Sequence, residues 1–506
     1  MKKILILSLF SVSIFASDAL VAMGERLFLE DRFSQFFFYE SNGDVNSKLV
    51  RGSRDLDEID IFGQSFPSPF AGSAKSCSSC HMVDQALDDF GMRGYNEFSA
   101  QSKIPARADG LSHTPRNTPN LVGIGSKWAQ NRTSHWDGEF FDHSETVLGN
   151  MTGRNMGWLG HEKQIALKNI VKVIREDDGS GELASEFGGS YKVVMQGTSS
   201  QIPADYRLDI DERLNVASAS DKEIIDYVIK AVTTYMNDLD FEKDEDGNYI
   251  GSPYDQFLIA NGIDTVPRAG ESIFSYRHRI RSAFAKLTNP KFVKKKYFDI
   301  YKKEIGFGEE EFEGLKIFFN LSNTSRGMCI ACHVPPMFTD QFYYNVGTTQ
   351  FEYEEMHGLD SFSNVQVPSA NNRGDLMLLQ RPNKQNPQAM DLGLWNFYGR
   401  NKDVTNLVNQ RLCRPSDPCG VEEMLPYMIG RVKVPSLRLN GLNAPYFHHG
   451  KTKTLRMAID HYRQVTTTLK TRNLRNIDPR VRNAMLGQSD IRYLEAFLSS
   501  LNEHYE

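Results

Sequence analysis

The strongest periodic signal begins near Ser220, where Ile224, Ile225, Val228, Ile229, Val232 and Met236 recur at helical spacing and predict one apolar helix face. Ser220 and Glu223 lie three residues apart, the spacing of a reciprocal N-terminal cap. Phe312, Leu315, Phe318 and Phe319 repeat in the same way ahead of a Cys-x-x-Cys-His segment. Ile491, Leu494, Phe497 and Leu498 predict a last helix. Runs alternating between apolar and polar residues are few, so the expected fold is mostly α.

Other stretches interrupt this pattern. Residues 41–76 are polar with Gly and Ser, and residues 350–425 are rich in Asn, Gln, Asp and Pro. Both read as loop insertions. Asp244-Glu245-Asp246-Gly247-Asn248 lacks the closing Glu of a calcium loop and reads as a solvated turn. Lys294-Lys295-Lys296 reads as a solvated patch. At the start, Lys2 and Lys3 precede an apolar run from Ile4 to Phe15 and then Ala16, the layout of a secretory signal over 1–16. That run is shorter than the roughly 20 residues a spanning helix needs. No membrane span is expected once the signal is removed.

A chain of 506 residues implies more than one packed unit. The expected division is a first unit over 17–300 with a long helical extension and a second over 301–506. The net charge of −6 without a basic block argues against a nucleic-acid partner. The six cysteines form three close pairs. Cys413 and Cys419 bracket Arg-Pro-Ser-Asp-Pro, and outside the cytoplasm such a pair favours a disulfide over two free thiols.

The other two pairs are Cys77-Ser78-Ser79-Cys80-His81 and Cys329-Ile330-Ala331-Cys332-His333. In each, two thiols spaced by one turn can add to the vinyl groups of a haem while the adjacent imidazole ligates the iron. A thioredoxin-like redox pair or half a zinc site explains the cysteines but not a His directly after both. The expected cofactors are two covalently bound haem c groups, each in its own c-type cytochrome domain. An iron held on both faces passes electrons, whereas one with an open face binds peroxide or oxygen.

Further segments resemble, in order, the bacterial di-haem cytochrome c peroxidase and MauG family. Met23 to Ser34 resembles "LGxxLFxDxxLS", Arg116-Asn117-Thr118-Pro119-Asn120-Leu121 resembles "RNTPxL", and His135-Trp136-Asp137-Gly138 resembles "FWDGR". Val434 to Arg438, Ala444 to Gly450 and Thr454-Leu455 resemble "VPSLRN…APYFHDG…TL". The resemblance implies that His81 holds a peroxide-activating haem and His333 an electron-relaying haem, with Trp136 as the bridge between them. It implies a calcium ion held by Asn117 and the carbonyls of Asn443 and Pro445. Family peroxidases use a Met fourteen residues after the His of "YFHDG" as second ligand to the latter haem, and MauG-like members a Tyr. Counting from His448 gives Tyr462, with His461 as a neighbouring competitor. His113 falls in the segment where the family places a loop His that blocks the first haem at rest; His135 and His143 are alternatives.

The sequence also departs from the family. A Gln and a Glu follow the bridging Trp by ten and twenty residues there. Ungapped counting gives Thr146 and Met156 here, and a shift of one gives Glu145 and Asn155. Splitting the O–O bond needs a proton moved between its oxygens, which Met cannot do and Asn can only assist by orienting peroxide. Glu145 or Glu162 are the substitutes in reach of the count. The resemblance implies a periplasmic, often dimeric oxidoreductase that reduces hydrogen peroxide with electrons from a small cytochrome c or copper protein. The alternatives are a MauG-like enzyme oxidising a protein substrate and a non-catalytic electron carrier.

Overall fold

The computed structural model describes residues 18–49, 58–61, 64–67, 74–81, 116–129, 133–298, 301, 303–324, 326–367, 379–398 and 420–503. The expected signal segment, His113 and the pair Cys413 and Cys419 lie outside the described residues.

The chain is mostly α. Among the described residues, strands form three two-stranded antiparallel ribbons: Glu58–Ile61 with Gln64–Pro67, Val293–Phe298 with Lys303–Phe307, and Tyr343–Tyr344 with Val432–Lys433. Lys294, Lys295 and Lys296 are solvated as expected, but on a strand of the second ribbon. The 244–248 turn is closed by the backbone N–H groups of Asp246 and Asn248 donating to the Asp244 carboxylate.

Two helix pairs organise the protein. In the first, Asp18–Leu29 packs against Asp221–Asp238. Leu20, Met23, Leu27 and Phe28 face inward from one helix, and Ile224, Val228, Ala231, Val232 and Tyr235 from the other. The capping box at Ser220 forms, with the Ser220 hydroxyl accepting from the Glu223 N–H and the Glu223 carboxylate from the Ser220 N–H. In the second pair, Glu309–Phe318 packs against Asp490–Ser499. Each crossing turns on a glycine. A Cβ on Gly24 would run into the Ala231 carbonyl, and one on Gly314 into the Tyr493 carbonyl, so only glycine lets these helix axes approach so closely.

Two large apolar cores result. One gathers residues between Ala19 and Leu239, the other residues between Tyr254 and Leu501. The two cores divide between Leu239 and Tyr254. The helices Pro253–Ala260 and Ile273–Lys286 contribute Tyr254, Phe257, Leu258, Tyr276, Ile280 and Phe284 to the second core, because the 253–286 apolar faces match the aromatic surface of Phe307, Phe318 and Phe497. A smaller cluster of Val122, Phe241, Tyr249, Val266, Met337 and Leu439 joins the two. Beside it, Arg438 and Asp255 form a fully buried bidentate ion pair, both bonds 2.8 Å.

The expected 350–425 excursion is not one solvated loop. Its described part begins in the helix Thr348–His357 and builds a core of its own from Tyr353, Phe362, Met390, Leu392, Leu394 and Trp395, closed by Met424, Leu425 and Met428. Trp395 is completely buried. Apolar residues scattered among polar ones carry no helical or strand period, so this core leaves no pattern in the sequence.

Candidate functional site

Each Cys-x-x-Cys-His segment follows the first helix of its pair. The Cys77 N–H donates to the Phe28 carbonyl at the end of Asp18–Leu29, and the Cys80 and His81 N–H groups both donate back to the Cys77 carbonyl. At the second segment Cys329–Ala331 is a 3₁₀ turn, and the Cys332 and His333 N–H groups return to the Cys329 carbonyl. Both turns thus bring two sulfurs and an imidazole together.

The environment discriminates among the chemistries open to such a turn. Burial pushes the Cys77 and Cys329 thiols up to about 12. A nucleophilic redox pair needs the opposite, a thiol lowered by nearby positive charge. Among the described residues no Cys belongs to a cluster of metal-ligating side chains close enough for zinc. Burial pushes the imidazoles of His81 and His333 down to about 4, so both are neutral at physiological pH. His333 bonds through Nδ1 to the Phe338 carbonyl at 3.0 Å. A neutral ring whose Nδ1–H is engaged this way keeps the Nε2 lone pair for a metal.

Both segments open into one cavity of about 630 Å³, lined by Cys77, Cys80 and His81 and by Cys329, Cys332 and His333. Its walls include Phe28, Leu121, Val232, Met236, Phe318, Ile459 and Leu494, drawn from both cores. An apolar cleft with a few convergent polar groups suits a large flat cofactor. The paired sulfurs, neutral imidazoles and apolar walls fit haem.

Trp136 lies at the join. It is 8% exposed, lines the cavity, and donates from Nε1 to the Asn117 carbonyl at 2.8 Å. Its own carbonyl accepts from the Lys433 N–H at 2.8 Å. Next to it Arg116 pairs with Asp137 and reaches Asp391 bidentately at 2.6 and 2.7 Å. Burial pushes the Lys433 ammonium down to about 7.

The other expected residues separate into two groups. Tyr462 lines the cavity, and burial followed by the charge of Cys329 and Cys332 raises its phenol. His461 does not line the cavity; its Nε2 is bonded to the Val346 carbonyl at 2.7 Å. Thr146, Asn155 and Met156 line the cavity, and Asn155 donates to Asn150 Oδ1 at 2.8 Å. Glu145 does not: it is exposed in the first turn of His143–Met151, where its carboxylate accepts from the Phe141 N–H. Glu162 is buried elsewhere and caps its own turn through the Leu159 N–H. His143 lines the cavity with Nδ1 bonded to Asn237 Oδ1.

The chain is similar to solved di-haem proteins along most of its length. A MauG-like protein associated with microbial copper homeostasis is 16% identical, with 96% of this chain and 90% of that chain covered at a TM-score of 0.44. The di-haem peroxidase BthA from Burkholderia thailandensis E264 is 15% identical, with 97% and 87% covered at a TM-score of 0.45. A point variant of that peroxidase gives 14% identity, 96% and 87% coverage and a TM-score of 0.46. No family model matches the chain, and no curated protein matches it.

Of the residues expected to hold calcium, Asn117 meets Pro445. The Asn117 side-chain amide sits 2.6 Å from the Pro445 carbonyl and 3.2 Å from that of Phe447, and Asn117 Oδ1 is buried with no partner among the described residues. Sequence reasoning missed three residues in or beside the cavity. Asp391 arrives from the 350–425 segment, Lys433 from the strand Val432–Lys433, and Glu139 from the loop after Trp136. Only Glu139 left a signal, as the acid standing where the motif has Arg.

Proposed function

We propose that this chain is an exported di-haem c-type cytochrome that reduces hydrogen peroxide with electrons from a small cytochrome c or copper protein. The observation that carries this reading is the single cavity lined by both Cys-x-x-Cys-His segments with Trp136 at the join. Cys77 and Cys80 would hold one haem as thioethers with His81 on its iron, and Cys329 and Cys332 the other with His333. Haem so held supplies the peroxide site and the redox couple.

The chain's own residues set up the rest. The bonds of Trp136 to Asn117 and Lys433 fix the indole where electrons would cross between the two sites. The apolar walls exclude bulk water from both. Asn155 and Thr146 offer hydrogen bonds at the first site and no ionisable group. Asn117 and the carbonyls of Asn443 and Pro445 would hold a calcium ion at the junction. The units built on the two cores would act as the two haem domains, in a periplasmic and dimeric protein.

A second reading is favoured by one observation. Tyr462, not His461, lines the cavity beside Cys329 and Cys332. An anionic oxygen ligand favours the oxidised states of iron over ferrous. This suits a MauG-like enzyme that holds oxidising equivalents and spends them on residues of a protein partner.

The test is an EPR spectrum of the haem-loaded ferric protein before and after one equivalent of hydrogen peroxide. A high-spin signal that collapses on addition supports the enzyme. Two low-spin signals that stay unchanged, also after partial reduction, would leave an electron carrier.

A further inference from the structure

The residues that replace the family's Gln and Glu leave the first site without a proton carrier, yet the cavity has one built elsewhere. His135 and Glu139 both line it. His135 Nδ1 bonds to Glu139 Oε2 at 2.8 Å. These are the two positions where this chain departs from "FWDGR", His for Phe and Glu for Arg, and the departures contact each other.

The loop carrying them is rigidly held. The Ser134 N–H donates to the Phe140 carbonyl at 2.8 Å, closing a tight turn with Gly138 at φ 72° and His135 itself at φ 63°. Left-handed backbone at a non-glycine residue costs about 1 kcal/mol or more and persists only where surrounding contacts fix it. Here they do: Trp136 is tied to Asn117, Asp137 to Arg116, and Phe140 packs edge-on to the His135 ring at 5.0 Å. The charged groups facing the pair are Asp137 and Arg116 beside it and His81 across the cavity, whose imidazole feels the charge of His135. Burial acts to raise Glu139, but the bond to His135, the charge of His135 and the charge of Arg116 together hold it below the usual carboxylate range.

The same three residues, His135, Asp137 and Glu139, bring ligand atoms within 4.8 Å of one another. The Arg116 guanidinium already neutralises Asp137, so the arrangement is an acid–base pair and not a cation cage.

We propose that His135, oriented by Glu139, is the acid–base residue for peroxide at the His81 site. This rests on the peroxidase reading above. With Nδ1 held by Glu139, Nε2 is the nitrogen left to act. It takes the proton from one oxygen of hydrogen peroxide and delivers it to the other. The O–O bond breaks, and the protonated oxygen leaves as water with the bonding pair. Overall, hydrogen peroxide, two protons and two electrons from the small redox protein give two waters. Glu139 is a positioning residue that fixes the tautomer and stabilises the protonated ring.

Two variants of the haem-loaded full chain, His135→Phe and Glu139→Gln, test this by two readouts. One is the rate at which peroxide removes the high-spin ferric signal. The other is the infrared stretch of carbon monoxide bound to the reduced protein, which reports a hydrogen-bond donor beside the ligand without any turnover. We expect His135→Phe to slow the reaction by about 100-fold or more and to shift the stretch to a single higher frequency. Glu139→Gln should slow it by roughly 10- to 100-fold and shift the stretch partway. A wild-type rate and an unmoved stretch in both variants would overturn the assignment while leaving the peroxidase reading intact. A wild-type protein that does not react with peroxide overturns both.

Discussion

The Trp136 indole donates its N–H to the Asn117 carbonyl at 2.8 Å, while the Asn117 side-chain amide reaches the Pro445 carbonyl at 2.6 Å. Asn117 thus orients a ring in the cavity wall and ties it to the second half of the chain. Replacing Trp136 with Phe leaves the Asn117 carbonyl without this donor. The expected cost is about 1–3 kcal/mol, seen as a lower urea midpoint with haem content unchanged. Electron exchange between the haems should slow as well, checked by the rate at which one haem follows the other during reductive titration.

Asp391 is joined to Arg116 across 275 residues of sequence. Arg116 outweighs the effect of burial and keeps the Asp391 carboxyl below its ordinary value. A depressed carboxyl contributes stability above the unfolded pKa, and that stability is lost as pH falls through the folded one. Asp391→Asn is expected to cost about 3 kcal/mol at neutral pH and to flatten the acid limb of the stability curve. Urea unfolding of both proteins between about pH 3 and pH 7 checks the difference.

Glu503 has the opposite sign. Burial pushes its carboxyl up to about 8 despite Arg438 nearby. A raised carboxyl binds a proton on folding, so its contribution is full below the unfolded value and is lost as pH rises through the folded one. The wild-type protein should therefore lose stability between about pH 5 and pH 9. Glu503→Gln should remove that slope, and an equal slope in both proteins would show that another group is responsible.

Tyr462 and His461 are adjacent in sequence but differ in access to the cavity. Tyr462→Phe is expected to change the EPR signal of the His333 haem and to raise its reduction potential, since an anionic oxygen donor is lost. His461→Ala should leave both unchanged and lower only the melting temperature. The reverse pattern would make His461 the ligand.

Cysteine pairs followed by His, the apolar periods at 224–236 and 491–498, and the Ser220–Glu223 cap were legible because each depends on neighbours within a turn or two. The break between the cores was less so. Nothing in the periodicity of Tyr254 to Phe284 says which half those helices cover, since an apolar face carries no address. Counting from Trp136 gave Thr146 without a gap and Glu145 with a shift of one; the helix begins at His143 and turns Glu145 outward to its own N-terminus, whereas Thr146 faces the cavity. The spacing was read correctly and the helix phase decided the outcome.

By itself the sequence determined the mostly helical fold and the two Cys-x-x-Cys-His turns, because residue spacing and helical period are local properties. The tertiary structure decided which side chains line the cavity or back its wall: Asp391 behind Arg116, Tyr462 in place of His461, and His135 with Glu139 instead of Glu145. Those choices follow from how helix pairs cross at Gly24 and Gly314 and from which surfaces then bury together. Such packing is a sum over many distant contacts that no short stretch of chain encodes.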